Sequence, residues 1–337
     1  MRYTRFVAAA AIYAAFAVYL YQPYFKGFNS PRLQDVFIVV APLACLGCYV
    51  LSRRWVAGFA GSFFAGALYG FGPYALGLAK FHSTAGLLVA AIPWLFWPAV
   101  FGPKGRWRYL RVVLSILPFL GIVVFFQLAA HLRLYPIPIQ LKLHAADVAG
   151  LFAPLVAADR QMTLAGFYHI PLAGLIVGLF VLVAARRLKI VAILAVPTIL
   201  AFCGPVFAVS PVVWLAITML CGSVIVGTGM QALIYAGPAD RKWILSACIV
   251  MGTLAIATLF CATECFRAFA GIGSGYAVLF VHTAKMYVLG AITAAILYFL
   301  VRANLRAHWV RLFVLCAPMM LDIFFSARFV IGRILFL

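Results

Sequence analysis

Glu264 is the only glutamate in the chain, and it shares the stretch Cys261 to Tyr287 with Lys285. Both charges lie in or beside long apolar runs, separated by Gly271-Ile272-Gly273-Ser274-Gly275, a turn without bulk. A carboxylate and an ammonium placed this way can transfer a proton or bind an anionic headgroup. They can equally form an ion pair that locks neighbouring helices. Glu264 and Arg267 are three apart and share a helical face, as do His282 and Lys285. The two runs are joined by a short glycine-rich turn, so they are expected as antiparallel neighbours, with Glu264 and Lys285 at similar depth and placed to pair. Asp322 enters the next apolar run, with Arg328 beyond it, and is expected to join them. Charges in hydrocarbon are costly and tend to face the bundle interior, where they find partners. The predicted cluster is therefore Glu264, Arg267, His282, Lys285, Asp322 and Arg328. Asp35, Glu264 and Asp322 are the acids on which catalysis could draw.

A second group is basic. His131, Arg133, Lys142, His144 and Arg160 flank the long connection 131–162, where their donors suit phosphate. The second half of that connection, Ala145 to Ala158, is apolar but too short to span, which predicts an interfacial or re-entrant helix. Leu151, Phe152, Leu155 and Val156 would form its apolar face, and Tyr135-Pro136-Ile137-Pro138 before it reads as a stiff extended bend. This segment is the expected contact surface for a lipid headgroup or a neighbouring subunit. His82, His169 and His282 begin apolar runs; paired histidines at one depth can ligate haem, but beside aromatic residues they suit the headgroup belt, and haem is not expected. Cys45 and Cys48 lie mid-run with no basic neighbour to hold a thiolate, and Cys261 and Cys265 share a helical face. Both pairs read as packing residues. No metal site is predicted.

Composition sets the frame that must position these groups. The 337 residues are 67% hydrophobic and 9% charged, too few charges to cover a soluble surface. The net charge of +20 falls in short clusters between apolar runs, where it sets topology and touches anionic lipid. Nucleic acid is not an expected partner. Apolar runs occur at about 6–22, 34–51, 55–79, 84–101, 110–130, 163–185, 188–209, 211–236, 243–266, 275–301 and 311–327. They predict an all-α bundle of about eleven transmembrane helices, forming one transmembrane domain over 1–337, because only helices satisfy their own backbone in lipid. With the N-terminus in the cytoplasm, sixteen Lys and Arg side chains fall inside and nine outside, and the strongest cluster, Lys104 to Arg111, is inside. That threading puts Asp35, Asp147, Asp159, Glu264 and Asp322 on the outer side. The basic start of the chain is followed by no small-x-small cleavage site, so the first run is read as a retained helix.

One stretch carries a resemblance. Leu68-Tyr-Gly-Phe-Gly-Pro-Tyr-Ala-Leu-Gly77, followed by Phe81-His82 and Leu87 to Trp94, resembles the mid-membrane region of GT-C-type polyprenyl-phosphate-sugar-dependent membrane glycosyltransferases. The similarity covers about residues 56–130. It implies a helical membrane enzyme acting on a lipid-linked substrate at the outer leaflet. That family carries its catalytic acid in a long first outer loop, whereas here the corresponding loop is about residues 23–33, with Asp35 at its edge.

The scarcity of polar side chains in the spans and the short loops favour an accessory subunit of a larger complex in the bacterial cytoplasmic membrane. Phospholipid or polyprenyl lipid is the expected bound group. An outer-leaflet enzyme on a lipid-linked substrate is one alternative, and a transporter of lipid or small molecules is the other.

Overall fold

A chain this apolar must pair its backbone groups locally, and every secondary-structure element among the described residues is helical. The computed structural model describes residues 3–22, 36–54, 56, 58–81, 83–101, 108–132, 150–153, 156, 169–184, 188–204, 209–268, 274–303 and 308–335. In chain order the helices are α1 (Tyr3–Tyr21), α2 (Val36–Ser52), α3 (Phe59–Gly70), α4 (Pro73–Phe81), α5 (Ser83–Leu95), α6 (Trp97–Phe101) and α7 (Arg108–His131). There follow α8 (His169–Ala184), α9 (Leu188–Phe202), α10 (Pro211–Ile234), α11 (Arg241–Ala268), α12 (Ser274–Arg302) and α13 (His308–Leu335). Five stretches are long and apolar enough to cross a membrane: Tyr3–Tyr21, Val213–Ile234, Pro238–Glu264, Gly275–Arg302 and His308–Gly332. The chain therefore has the character of a helical integral membrane protein. Shorter apolar helices cover Ile38–Ser52, Gly86–Phe101 and Ile116–Leu128.

Two of the predicted runs are not single straight helices. The run 55–79 becomes α3 and α4, broken at Phe71-Gly72. Pro73 has no N–H to continue α3 and its ring excludes the preceding turn, so it opens a new helix instead. Likewise 84–101 becomes α5 and α6 with a turn at Phe96, two residues before Pro98. α9 stops at Gly204, whose φ of +91° suits a residue without a Cβ.

The centre of the bundle is α3, with α2 and α10 on either side. Ten of the twelve residues of α3 are buried. Between lipid-embedded helices the surrounding tails are as apolar as the core, so close packing and hydrogen bonds must supply the cohesion. Gly61 and Gly227 show how: a Cβ on either would stand 2.5 Å from the other's carbonyl oxygen, so their absence lets α3 and α10 touch backbone to backbone. On the other side Tyr13 of α1 stacks on Phe63, ring centroids 4.7 Å apart, and its hydroxyl donates to the Phe63 carbonyl at 2.6 Å. α1 buries Ala9, Tyr13, Ala17 and Leu20, the three- and four-residue spacing of one helical face. At the N-terminal face, buried Arg311 of α13 donates to the Ala236 carbonyl at 2.7 Å, capping the end of α10 with a cation. A smaller apolar cluster joins Leu172 and Ala173 of α8 to Ala247, Met251 and Ala255 of α11 and Tyr287 of α12.

Candidate functional site

α11 and α12 pack along their length as an antiparallel hairpin. Their register is read from Cys248, whose Sγ donates to the Ala291 carbonyl at 3.4 Å. Counting outward from that contact, Glu264 stands level with Gly275, whereas Lys285 stands level with Leu254. Residues 254 and 264 are about 15 Å apart along a helix axis. That offset separates the two charges expected to pair. Glu264 Oε1 instead faces Arg267 Nη1 at 3.5 Å on its own helix, with Glu264 50% and Arg267 79% exposed. His282 and Lys285 are exposed on α12. Arg328 is exposed on α13, its guanidinium 5.9 Å from the centre of the Phe324 ring. The predicted six-residue cluster is thus spread along the surfaces of three helices, with one exception.

Asp322 is fully buried. Leu315, Met319, Asp322, Ser326 and Val330 succeed one another by three or four residues and are all buried, so the acid occupies a position on the apolar stripe of α13. Its helix packs against α12, which carries Tyr287. Tyr287 is itself wholly enclosed, and its hydroxyl donates to the Phe152 carbonyl at 2.7 Å. A buried phenol needs such a partner, because an unmade hydrogen bond in an apolar surround costs the full desolvation of the group. Leu151 packs against the main core beside it. Tyr287 and Phe152 therefore link α12 to the connection between α7 and α8.

Of the connection expected to hold a helix over Ala145 to Ala158, the described part is 150–153 and 156. Gly150 and Leu151 form a 3-10 turn, and Val156 N–H reaches the Ala153 carbonyl at 3.1 Å. Asp35, His82, Arg133, Lys142, His144 and Arg160 lie outside the described residues. His131 ends α7 exposed, and His169 begins α8. Cys45 and Cys48 are free and buried, and Cys48 Sγ donates to the Ala65 carbonyl at 3.3 Å. Cys261, read from spacing as a packing residue, is exposed, because its face of α11 points away from α12.

Sequence reasoning did not find Tyr287 or the Phe152 carbonyl. The usable signal was the stripe of α13, on which Asp322 replaces an aliphatic residue. Chemically, an acid enclosed in this way meets a solute only if the helices part. No family model, curated protein or solved structure matches this chain.

Proposed function

We propose that this chain is a non-catalytic subunit that builds part of a larger assembly in the bacterial cytoplasmic membrane. The enclosure of Asp322 carries the reading. An acid at 0% exposure is out of reach of a substrate, while the nearby helix α12 is tied to the connection by the Tyr287 hydroxyl on the Phe152 carbonyl, which suits a lock. Glu264, the other described acid of the predicted set, is engaged by Arg267 at the surface. The chain crosses the membrane about eleven times with its N-terminus in the cytoplasm. α12 has 29 residues, about 44 Å of helix against about 30 Å of hydrocarbon. The exposed His282, Lys285 and Arg328 belong at headgroup level, at the outer end of that helix pair. Asp322 and Tyr287 then lie in the outer half of the membrane, and residues 150–153, held on Tyr287 through Phe152, form part of an outward surface for a neighbouring subunit.

The test is the composition of the complex purified in mild detergent. A partner at fixed stoichiometry is expected; a chain that purifies alone, with lipid only, overturns the reading. Cysteine labelling from outside should reach positions near Gln140 and Ser274 but not near Gly105 or Ala303, and labelling at Gly105 would reverse the threading.

One observation favours a second reading. Asp322 is an ionisable group within a membrane-crossing helix, where transporters keep coupling groups. In a transporter, Asp322→Asn leaves a folded protein that no longer moves its substrate in proteoliposomes. The lipid-linked transferase alternative, supported by the resemblance over residues 56–130, predicts copurifying polyprenyl lipid instead.

A further inference from the structure

We propose that an open cleft at the N-terminal face binds the phosphate headgroup of an anionic lipid. The cleft encloses about 790 Å³. Its walls come from separate parts of the chain: Arg5 of α1, Phe59 of α3, Gln231 and Tyr235 at the end of α10, and His308 and Trp309 of α13. This inference does not rest on the subunit reading.

Charge points to an anion. Arg5 and His308 line the cleft, and among the described residues no carboxylate does. Arg53 stands behind it, its Nη1 donating to the Gly58 carbonyl at 2.9 Å and so holding the entry to α3. Three helices, α1, α3 and α13, begin at this wall, and a helix N-terminus carries partial positive charge on its free N–H groups. The N-cap of α3 is Gly58, and the Gln231 amide sits where a side chain there would stand.

The rim favours a lipid over a water-borne anion. Trp309 is 83% and Tyr235 63% exposed, the tyrosine ring lying 5.2 Å from that of His308. Phe313, one turn further along α13, is 71% exposed and continues the apolar surface away from the cleft. Aromatic side chains with a polar edge belong at the membrane interface. A headgroup phosphate seated against Arg5 would leave its chains on the flank of α13.

The test uses the full-length protein in neutral detergent. It is titrated with short-chain phosphatidic acid, short-chain phosphatidylcholine and inorganic phosphate, with binding read as the rise in melting temperature. Saturable stabilisation by phosphatidic acid is expected, well above that from phosphatidylcholine or phosphate at equal concentration. Arg5→Gln should weaken the phosphatidic acid response about fivefold, the worth of one cation near an anionic headgroup. Arg5 is exposed, so its replacement should leave the lipid-free melting temperature unchanged. Arg302→Gln, which removes an exposed cation at the same end but outside the cleft, should bind as the parent does. An equal loss from Arg302→Gln would mean general surface charge and overturn the site. Inorganic phosphate binding as tightly as the lipid would overturn the lipid assignment.

Discussion

Two polar regions of this bundle are built in opposite ways. In one, Asp322 is buried on the apolar stripe of α13, and Tyr287 on neighbouring α12 is buried with its hydroxyl on the Phe152 carbonyl. At the N-terminal face, Arg5, Gln231 and His308 stand around about 790 Å³ of open space. By residue type alone Asp322 is the better candidate for chemistry and Arg5 merely marks topology. Enclosure reverses that ranking, because a group must be reachable to meet a ligand. In a protein with only 9% charged residues, exposure decides what each polar group can do.

The largest effect should come from placing the wrong charge in the sealed region. Asp322→Lys is expected to cost about 3 kcal/mol or more, since an unpaired buried cation cannot be compensated there. A variant that melts like the parent would show that the region is open, and the contrast would collapse. Tyr287→Phe should cost less, about 1–2 kcal/mol, because it strands one buried carbonyl. It should also speed hydrogen exchange at Gly150 to Phe152, and unchanged exchange there would cut the link between connection and helix. The cleft should behave differently. Arg5→Glu is expected to alter lipid-free stability by no more than about 0.5 kcal/mol, as for other exposed positions, while abolishing stabilisation by phosphatidic acid. A large loss of stability would give Arg5 a structural role like that of Asp322. The smallest effect belongs to Glu264→Gln. Its exposed pair with Arg267 is worth at most about 0.5 kcal/mol, so denaturation should barely shift; a loss like that of Tyr287→Phe would reveal a partner beyond Arg267.

Much of the fold was legible in the chain itself. The helix at Arg241–Ala268 was predicted as 243–266 and that at Ser274–Arg302 as 275–301, because their apolar runs end in charged or glycine-rich sequence. Pro73 and Pro98 were visible too, but a proline can kink a helix or end it, and only the packing around Phe71 and Phe96 shows which. Cys261 failed for a related reason: a shared face is encoded by spacing, while the direction in which that face points is not.

By itself, then, the sequence determined the helical class, the membrane-crossing character and most helix bounds, since these depend on local hydrophobicity and turn chemistry. It also marked Asp322 as an acid within an apolar run. The tertiary structure alone decided that Glu264 and Lys285 miss each other, because register follows from how small side chains such as Cys248 and Ala291 interlock. It alone chose Tyr287 out of 15 tyrosines and brought it to Phe152, 135 residues away. It alone gathered Arg5, Gln231 and His308 around one cleft. Contacts of that range depend on how deep each helix sits against its neighbours, and no local rule of spacing or propensity encodes that depth.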